Sequence, residues 1–230
     1  VAAKVPEAVR AACSGHPRPV YLEVSSSVLS REEEVEIAPP ISVHATSGDA
    51  EMLERAAIIL SDAKRPLILA GTGVHRSDAS AALTTLAERL PAAVVTTTAG
   101  KGCISDRNPL ALGNALRAYK PLVSFAQSCD VILAVGTSTG PIGLLDVDPS
   151  CVIRVDLDPN ALAEDQALAI EADARMALET LSEMVRPGKA ENPVSAISEL
   201  NAVRFGDSEQ LSPQKNFIES LRTAIPDDGI

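Results

Sequence analysis

Apolar residues in the middle of the chain follow two alternating spacings. One group recurs at the spacing of an α-helix, and its members are Leu53, Ala56, Ala57 and Leu60. These residues predict a helix over about 49–63. The aliphatic run PLILAG follows at once, and its shortness and its flanking Pro and Gly predict a buried strand.

The same alternation continues to about residue 187. Further strands are predicted from the runs AAVVTTT, DVILAVGT, CVIRVDLD and LAIEA. Further helices are predicted over about 79–90, with Ser77 or Asp78 as cap, over about 119–128, and from the cap Asp173 to about Arg186. Because strands and helices alternate and every strand is aliphatic, the pattern predicts right-handed crossovers and one parallel sheet. The expected fold class is α/β, a Rossmann-like three-layer α/β/α domain with a parallel sheet of about five to six strands.

The two ends of the chain carry isolated elements. A short helix over 5–13 and a strand VYLEV precede an acidic run and a Pro-Pro linker, and a last helix follows a second linker. The predicted division is 1–35 as the tail of a preceding domain, 36–46 as linker, 47–187 as the central domain, 188–212 as linker and 213–230 as the start of a following domain. Since Ile230 resembles the first residue of a new strand, we expect a piece of a longer protein.

Composition narrows the function classes. The formal charge is −11 and no Lys/Arg cluster is present, which argues against nucleic acid as a partner. No apolar stretch approaches the ~20 residues that a membrane span needs, so no membrane partner is expected. Cys13, Cys103, Cys129 and Cys151 are scattered without metal-site spacing, and they are typical of small apolar residues in a reducing compartment. We therefore expect a cytoplasmic protein.

Ligands of an open parallel sheet bind at the carboxyl ends of the strands, so the loops there are the candidates. The GTGVHR loop has G-x-G without the third glycine, and Thr97 and Thr98 stand where a ribose-binding acid is expected. An NAD-type fingerprint is therefore absent, and a tight strand–helix turn is favoured. The AGKG segment lacks the spacing of a Walker A loop, which leaves a turn with a surface lysine and a ligand loop as alternatives.

Other polar residues give no self-contained catalytic set. Asp158 is expected to cap the following helix, whereas Asp156 is left open between binding ribose hydroxyls and capping. His16, His44 and His75 lie in separate turns or linkers without a nearby nucleophile, so solvated loop histidines are favoured. The Ser25–Ser27 run lacks a nucleophile elbow and is expected to be a polar turn.

Several segments, taken in order, resemble one enzyme family. GHPRPVYLEVSSSVL is similar to the end of the pyrimidine-binding domain of thiamine-diphosphate-dependent enzymes of the acetolactate synthase, pyruvate oxidase and benzoylformate decarboxylase family. RPLILAGTGV, AAVVTTTAGKG, NPLALGN, CDVILAVGT, VIRVDLDP and EADARMALETL follow the order of its central domain. LSPQKNFIESLRTAIPDDGI resembles the opening of its pyrophosphate-binding domain.

This resemblance implies a parent enzyme that uses thiamine diphosphate and Mg²⁺ to act on a 2-keto acid, as a homodimer or homotetramer. The cofactor sites would lie in the pyrimidine- and pyrophosphate-binding domains, outside residues 1–230, so this chain alone is expected to be inactive and monomeric or weakly dimeric. In some branches the central domain binds FAD or an adenine nucleotide. The positions that match nucleotide-contacting loops there are Gly71, Thr72, Gly73, Thr97, Thr98, Gly136, Asp156 and Asp173.

The chain also departs from the flavin-binding pattern. LGNALRAYKP stands where acetolactate synthases carry Gly-Met-His-Gly, and TSTGPIGLLD leaves no arginine to face a pyrophosphate. Arg18 and Ser25 replace the usual glycine and proline. These departures favour a structural central domain over a flavin-binding one. The alternative from another class is a standalone nucleotide-binding Rossmann-like module, against which the two isolated ends argue.

Overall fold

A six-stranded, wholly parallel sheet forms the centre of the protein. The computed structural model describes residues 2–15, 17–37, 39, 45–114, 119–138, 142–162, 166–186, 188–204 and 212–226. The strands are β1 (Pro66–Ala70), β2 (Ala93–Thr96), β3 (Ala111–Asn114), β4 (Val131–Val135), β5 (Val152–Asp156) and β6 (Leu168–Glu171). Their order across the sheet is β3-β2-β1-β4-β5-β6, the order of a doubly wound Rossmann-like sheet. The predicted fold class is confirmed.

Helices cover both faces of this sheet. They are α1 (Lys4–Cys13), α2 (Ser26–Leu29), α3 (Ala50–Asp62), α4 (Thr72–Arg76), α5 (Ser80–Arg89), α6 (Lys120–Gln127), α7 (Ala174–Met184), α8 (Val194–Arg204) and α9 (Ser212–Ala224). Because side chains alternate along a strand, each of the strands β1 to β5 contributes residues to two separate cores. In β1, Ile68 packs into the core shared with α3, α5 and α7, whereas Leu67 and Leu69 pack into the core that includes Leu122 of α6.

Two of the predicted helix starts are fixed by aspartates. The Asp49 side chain accepts hydrogen bonds from the backbone N–H groups of Glu51 and Met52 at the start of α3. Asp173 does the same for α7, as expected from its position before the apolar stripe. The prediction of Ser77 or Asp78 as the cap of α5 is wrong, because the short helix α4 occupies the preceding residues and Ala79 stands at the cap position.

Two strand assignments differ from the predictions. β3 lies at the edge of the sheet and was not predicted as a strand, since ALGN is short and ends in two turn-forming residues. VYLEV was predicted as a strand, but it pairs with no strand among the described residues. Val20 and Leu22, which belong to the predicted apolar face of this segment, are 42% and 43% exposed, so that face packs into no core among the described residues.

The predicted second linker contains a helix. α8 lies within residues 188–212, where the weak apolar periodicity gave no helix signal. Ile197 is buried among residues of the α6 core, and the Tyr119 hydroxyl donates to the carbonyl oxygen of Leu200 at 2.7 Å. The packing of Ile197 and Leu200 anchors a helix that a pattern search overlooks, together with the hydrogen bond to the Leu200 carbonyl and one from Asn201 Nδ2 to the Ala111 carbonyl at 3.5 Å.

Replacing Ile197 tests whether α8 is part of the folded unit. Ile197→Ala removes a side chain that is 2% exposed, and we expect the free energy of unfolding to fall by ~2–4 kcal/mol. Ile58→Ala in α3 is the matched control, because that isoleucine is 53% exposed and should cost far less. Urea unfolding followed by circular dichroism measures both. Equal effects of the two changes would contradict the packing of α8.

Candidate functional site

The carboxyl ends of the parallel strands meet at one edge of the sheet, and a cavity of about 650 Å³ lies there. Strand order reverses between β1 and β4, and such a reversal point is the usual position of a ligand crevice in this architecture. The loops after β1, β2, β4 and β5 all reach the cavity. The site predicted from loop positions is therefore a real concavity.

Nearly all of the predicted residues share this cavity. Seven of the eight predicted residues line it, and only Gly71 does not. The seven are Thr72, Gly73, Thr97, Thr98, Gly136, Asp156 and Asp173. The cavity wall also includes Arg76, Ser138 and Asp158, which were not predicted as binding residues. Arg76 carried no motif signal, because only the fold places it beside the predicted loops. Ser138 and Asp158 lie in the loops after β4 and β5 that were already candidates from the sequence, and capping was the favoured role of Asp158.

Close backbone contact explains the G-x-G sequence after β1. The Gly71 N–H donates to the Val135 carbonyl and the Gly73 N–H to the Gly136 carbonyl, both at 2.9 Å. A Cβ atom on Gly73 would lie 2.5 Å from the Gly136 Cα, far inside contact distance. Gly136 itself has φ +56°, in the left-handed region that side chains disfavour. The glycines therefore allow the loops after β1 and β4 to touch.

The same contacts use up backbone donors that a phosphate group would need. Gly71 and Gly73 donate to the β4 end, the Gly136 N–H donates to the Val155 carbonyl, and the Thr97 N–H donates to the Ala70 carbonyl, each at 2.9 Å. A phosphate-binding loop instead points such N–H groups at the ligand. These loops are joined to one another across the sheet edge, which matches the tight-turn interpretation of GTGVHR.

The two threonines after β2 have different roles. Thr97 is buried, and its hydroxyl oxygen accepts a hydrogen bond from the Gly100 N–H at 3.0 Å, which closes a 3₁₀ turn over Thr98–Gly100. Thr98 is exposed on the cavity wall. Of the pair, Thr98 is the one whose side chain faces solvent at the cavity.

The aspartates on the cavity wall already accept hydrogen bonds from the protein's own backbone. Asp156 accepts a hydrogen bond from the Asp158 N–H at 2.9 Å, and Asp173 caps α7. Asp158 caps a 3₁₀ turn over Pro159–Ala161 as predicted, and its other carboxylate oxygen lies 2.8 Å from Arg18 Nη2. The pKa of Asp158 lies below its usual value because the Asn160 side chain and backbone donate to it, with a smaller contribution from Arg18.

These groups give the cavity an acidic, hydroxyl-rich wall. Asp156, Asp158 and Asp173 line it, and Arg76 is the basic residue among the lining residues that the structure describes. Such a wall suits hydroxyl groups better than a polyphosphate, since carboxylates repel phosphate oxygens and accept hydrogen bonds from hydroxyls.

A buried arginine supports the loop after β4. Arg154 in β5 is 0% exposed, and its Nη2 donates to the Thr137 carbonyl at 2.8 Å. Its cross-strand neighbours are Ala134 and Ala169, which leave room for the long side chain. Nε and Nη1 have no hydrogen-bond partner among the described residues. Burial lowers the pKa of Arg154, and nearby Asp156 partly offsets this effect.

No catalytic or metal-binding set is visible in the described part of the chain. No group of three His, Cys, Asp or Glu side chains there could hold a metal ion. Burial raises the pKa of Cys103 to about 11 and that of Cys129 to about 12, so both thiols are poor nucleophiles. His75 lies 3.0 Å from the Lys101 carbonyl, while His16 and His44 lie outside the described residues. None of the described helices is long and apolar enough to cross a membrane.

Comparison with known proteins identifies the domain. A family model described as "Thiamine pyrophosphate enzyme, central domain" matches residues 53–181, which comprise most of the parallel sheet and its helices. The chain belongs to this family. The resemblance noted from the sequence is confirmed.

Relatives of this central domain are longer proteins. A probable acetolactate synthase large subunit of Methanocaldococcus jannaschii is 32% identical over 197 residues, covering 77% of this chain and 33% of that protein. A probable 2-ketoarginine decarboxylase of Pseudomonas aeruginosa is 30% identical over 233 residues, covering 94% and 40%. A sulfoacetaldehyde acetyltransferase of Roseovarius nubinhibens is 30% identical over 231 residues, covering 91% and 38%. The chain thus spans about a third to two fifths of the length of these relatives.

A solved structure shares the fold of the central domain. It is that of a proposed thiamin diphosphate-dependent enzyme isolated from Mycobacterium smegmatis, with a TM-score of 0.69 and 20% identity. The match covers 82% of this chain and 38% of the solved one. At this identity the likeness supports the fold alone.

The contact between the loops after β1 and β4 can be tested at Gly136. Gly136→Ala adds a Cβ at positive φ and 2.5 Å from the Gly73 Cα, so we expect a loss of ~2–4 kcal/mol in the free energy of unfolding. Gly143→Ala is the control, because nothing lies within 4 Å of a Cβ built there. Urea unfolding compares them. A Gly136→Ala protein as stable as the control would contradict the contact.

The buried, only partly hydrogen-bonded guanidinium of Arg154 leads to a second prediction. Arg154→Met keeps the bulk and removes the buried charge, so we expect stability within ~1 kcal/mol of the original protein, despite the lost bond to Thr137. Arg154→Lys keeps a strongly hydrated charge without the planar fork, and should lose ~2 kcal/mol or more. Thermal and urea unfolding measure both. A large loss for Arg154→Met would mean that the guanidinium is better paired than described.

Proposed function

We propose that this chain is a central, mainly structural domain of a thiamine-diphosphate-dependent enzyme that acts on a 2-keto acid. The family match supports the first part, and the names of the acetolactate synthase and 2-ketoarginine decarboxylase relatives support the substrate class. The observation that carries the structural role is the pairing of Gly71, Gly73 and Gly136 N–H groups with the sheet's own carbonyls. Loops bonded to one another hold a scaffold together more readily than they cradle a phosphate.

The parent enzyme is proposed to be a lyase or transferase that uses thiamine diphosphate and Mg²⁺. Thiamine diphosphate supplies carbanion stabilisation when bound, so the protein's work is to hold and polarise it. Among the described residues, no group of three His, Cys, Asp or Glu side chains could hold Mg²⁺. We propose that the chain alone is inactive, and that its partners are its own pyrimidine- and pyrophosphate-binding domains in a cytoplasmic homodimer or homotetramer.

The proposed division of the chain follows the same logic. Residues 47–187 would be the central domain, and the family match over 53–181 lies inside that range. Residues 1–35 would belong to the pyrimidine-binding domain and residues 213–230 to the pyrophosphate-binding domain, with linkers at 36–46 and 188–212. α8 lies in the second of these linkers and would fasten it to the central sheet.

Nucleotide binding is the second candidate, and the cavity is the observation that favours it. A volume of about 650 Å³ suits a ligand of nucleoside size, and Thr98, Asp156 and Asp173 could meet its hydroxyl groups. FAD is disfavoured because Arg76 is the basic lining residue in the described wall and the loop N–H groups are already bonded. A standalone nucleotide-binding module is less well supported, since the family and the relatives are parts of longer enzymes.

Absorbance spectroscopy and thermal shift test these proposals together. We expect the purified chain to show no flavin band and no rise in melting temperature with FAD, because the N–H groups of Gly71, Gly73, Gly136 and Thr97 already donate to carbonyls of the sheet edge. A ligand that binds tightly would stabilise the fold by ~2.7 kcal/mol at a hundredfold excess over its dissociation constant. ADP and coenzyme A are tested in parallel.

The outcomes separate the two candidates. A flavin band or a shift with FAD would contradict the structural role and place the parent in a synthase or oxidase branch. A shift with ADP or coenzyme A, abolished by Asp156→Asn and unaffected by Glu171→Gln at the exposed end of β6, would establish the cavity as a nucleotide site. No shift with any of the three supports the scaffold.

A further inference from the structure

A second concavity lies between α3 and the end of α7, and it shares no lining residue with the cavity at the sheet edge. We call it the α3–α7 groove; its volume is about 430 Å³. Ile58 and Met184 line it and are 53% and 42% exposed, while Ala57 between the two helices is 3% exposed. Single exposed apolar residues need no explanation, so the charges around this pair decide what the groove can bind.

The charged residues of the groove are distributed unequally along α3. Glu54 lies one helical turn before Ile58, ~6 Å along the helix axis and on the same side of the helix. Ser61 lies ~4.5 Å after Ile58 along the axis. The Ser61 hydroxyl accepts a hydrogen bond from the Arg186 backbone N–H at 3.0 Å, which places Arg186 beside this second end. One end of the groove is therefore acidic, and the other carries a guanidinium.

The charge at the second end is set by Arg186. Asp62 also lies there, but Lys189 Nζ pairs with its carboxylate at 2.5 Å and balances its charge. The side chains of Glu54 and Arg186 are exposed, and neither has an ion-pair partner among the residues that the structure describes. Two opposite charges thus stand unpaired on either side of an exposed isoleucine.

We propose that a second copy of this chain docks in the α3–α7 groove. In this arrangement α3 of one copy lies antiparallel against α3 of its partner, with Ile58 near the two-fold axis. Such an axis exchanges the two ends of the helix, and Glu54 and Arg186 stand at similar distances on opposite sides of Ile58. The Glu54 carboxylate of each copy therefore meets the guanidinium of the other, because a two-fold contact is reciprocal.

Self-complementarity is the reason for choosing a second copy as the occupant. A groove with one sign of charge would repel a copy of itself, whereas this groove carries both signs at positions that a two-fold axis interchanges. The contact is small and its ion pairs are exposed, so pairing of the chain by itself is weak. The pairing rests on the proposed homo-oligomer, but its failure leaves the scaffold role untouched, since the test detects contact between copies and not ligand binding.

Disulfide cross-linking at Ile58 tests the position of the axis. In a Cys13→Ser, Cys151→Ser background, whose two remaining native cysteines are buried, Ile58→Cys places a thiol where the copies meet. Oxygen, with copper phenanthroline as catalyst, takes two electrons and two protons from each pair of thiols. We expect the covalent dimer to form about fivefold faster than with Thr85→Cys, because pairing raises the local concentration of the thiol. Thr85 is an exposed residue of α5 that does not line the groove.

Charge reversal tests the ion pairs. In the Ile58→Cys protein, Glu54→Arg or Arg186→Glu sets like charges against one another, and each should slow cross-linking about five- to tenfold. The double variant restores opposite charges and should recover most of the original rate. Glu171→Arg is the matched control, since this exposed glutamate at the end of β6 does not line the groove and its reversal should leave the rate unaltered.

Each result supports or overturns the pairing. Fast cross-linking at Ile58 that either reversal slows and the double variant restores supports it. Equal rates for Ile58→Cys and Thr85→Cys would overturn it, and this is also the result expected if a neighbouring domain of a longer protein occupies the groove. A double variant as slow as the single ones would overturn the two-fold arrangement. Where a reversal lowers the melting temperature, Glu54→Gln and Arg186→Met replace it, with cross-linking expected to slow about two- to threefold.

Discussion

Direct backbone contact between the loop after β1 and the loop after β4 is the constraint on which the binding edge depends. Gly73 and Gly136 approach so closely that neither could carry a Cβ without displacing the other. Hydrogen bonds from Gly71 to Val135 and from Gly73 to Gly136 hold the two loops at that separation. Strand order reverses at this point, where sheets of this kind usually admit a ligand. Here the chain closes part of the crevice with its own backbone.

The contact between these loops determines which polar groups face the cavity. Donors of the glycine loops are bonded within the sheet edge, so the polar groups facing the cavity are mainly hydroxyls and carboxylates, with Arg76 as the basic residue of the described wall. Arg154 reinforces the arrangement from the opposite side of the loop after β4, through its bond to Thr137. Burying a guanidinium that is only partly hydrogen-bonded costs free energy, and the surrounding contacts must offset that cost. The edge is thus built for rigidity more than for anion binding.

This construction suits a domain whose role is to carry others. The family to which the chain belongs is named for thiamine pyrophosphate, and the relatives are about two and a half to three times as long as the matched region. A sheet whose strands pack against helices on both faces is rigid, so it keeps a fixed geometry between the segments that precede and follow it in the chain. Segments on both sides of the sheet contact it, through the ion pair of Arg18 with Asp158 before it and the hydrogen bond of Tyr119 with Leu200 of α8 after it. Ile197 of α8 also packs into the core beside α6, which makes this helix part of the folded unit.

The sequence by itself determined the layered α/β fold, most of the strands, the cap Asp173 and the set of loops at the sheet edge. Aliphatic runs and helical stripes report burial directly, and each needs only its own neighbours in the chain to be recognised. Where the signal was weak, as in β3 and α8, or where a strand pattern had no neighbour to pair with, as in VYLEV, prediction failed. Only the tertiary structure decided that the glycines serve contact between loops, that Arg76 shares one cavity with the loops after β2, β4 and β5, and that Arg154 is buried. These properties depend on contacts between residues far apart along the chain, and no local spacing encodes which distant backbone will lie against a given glycine or carboxylate.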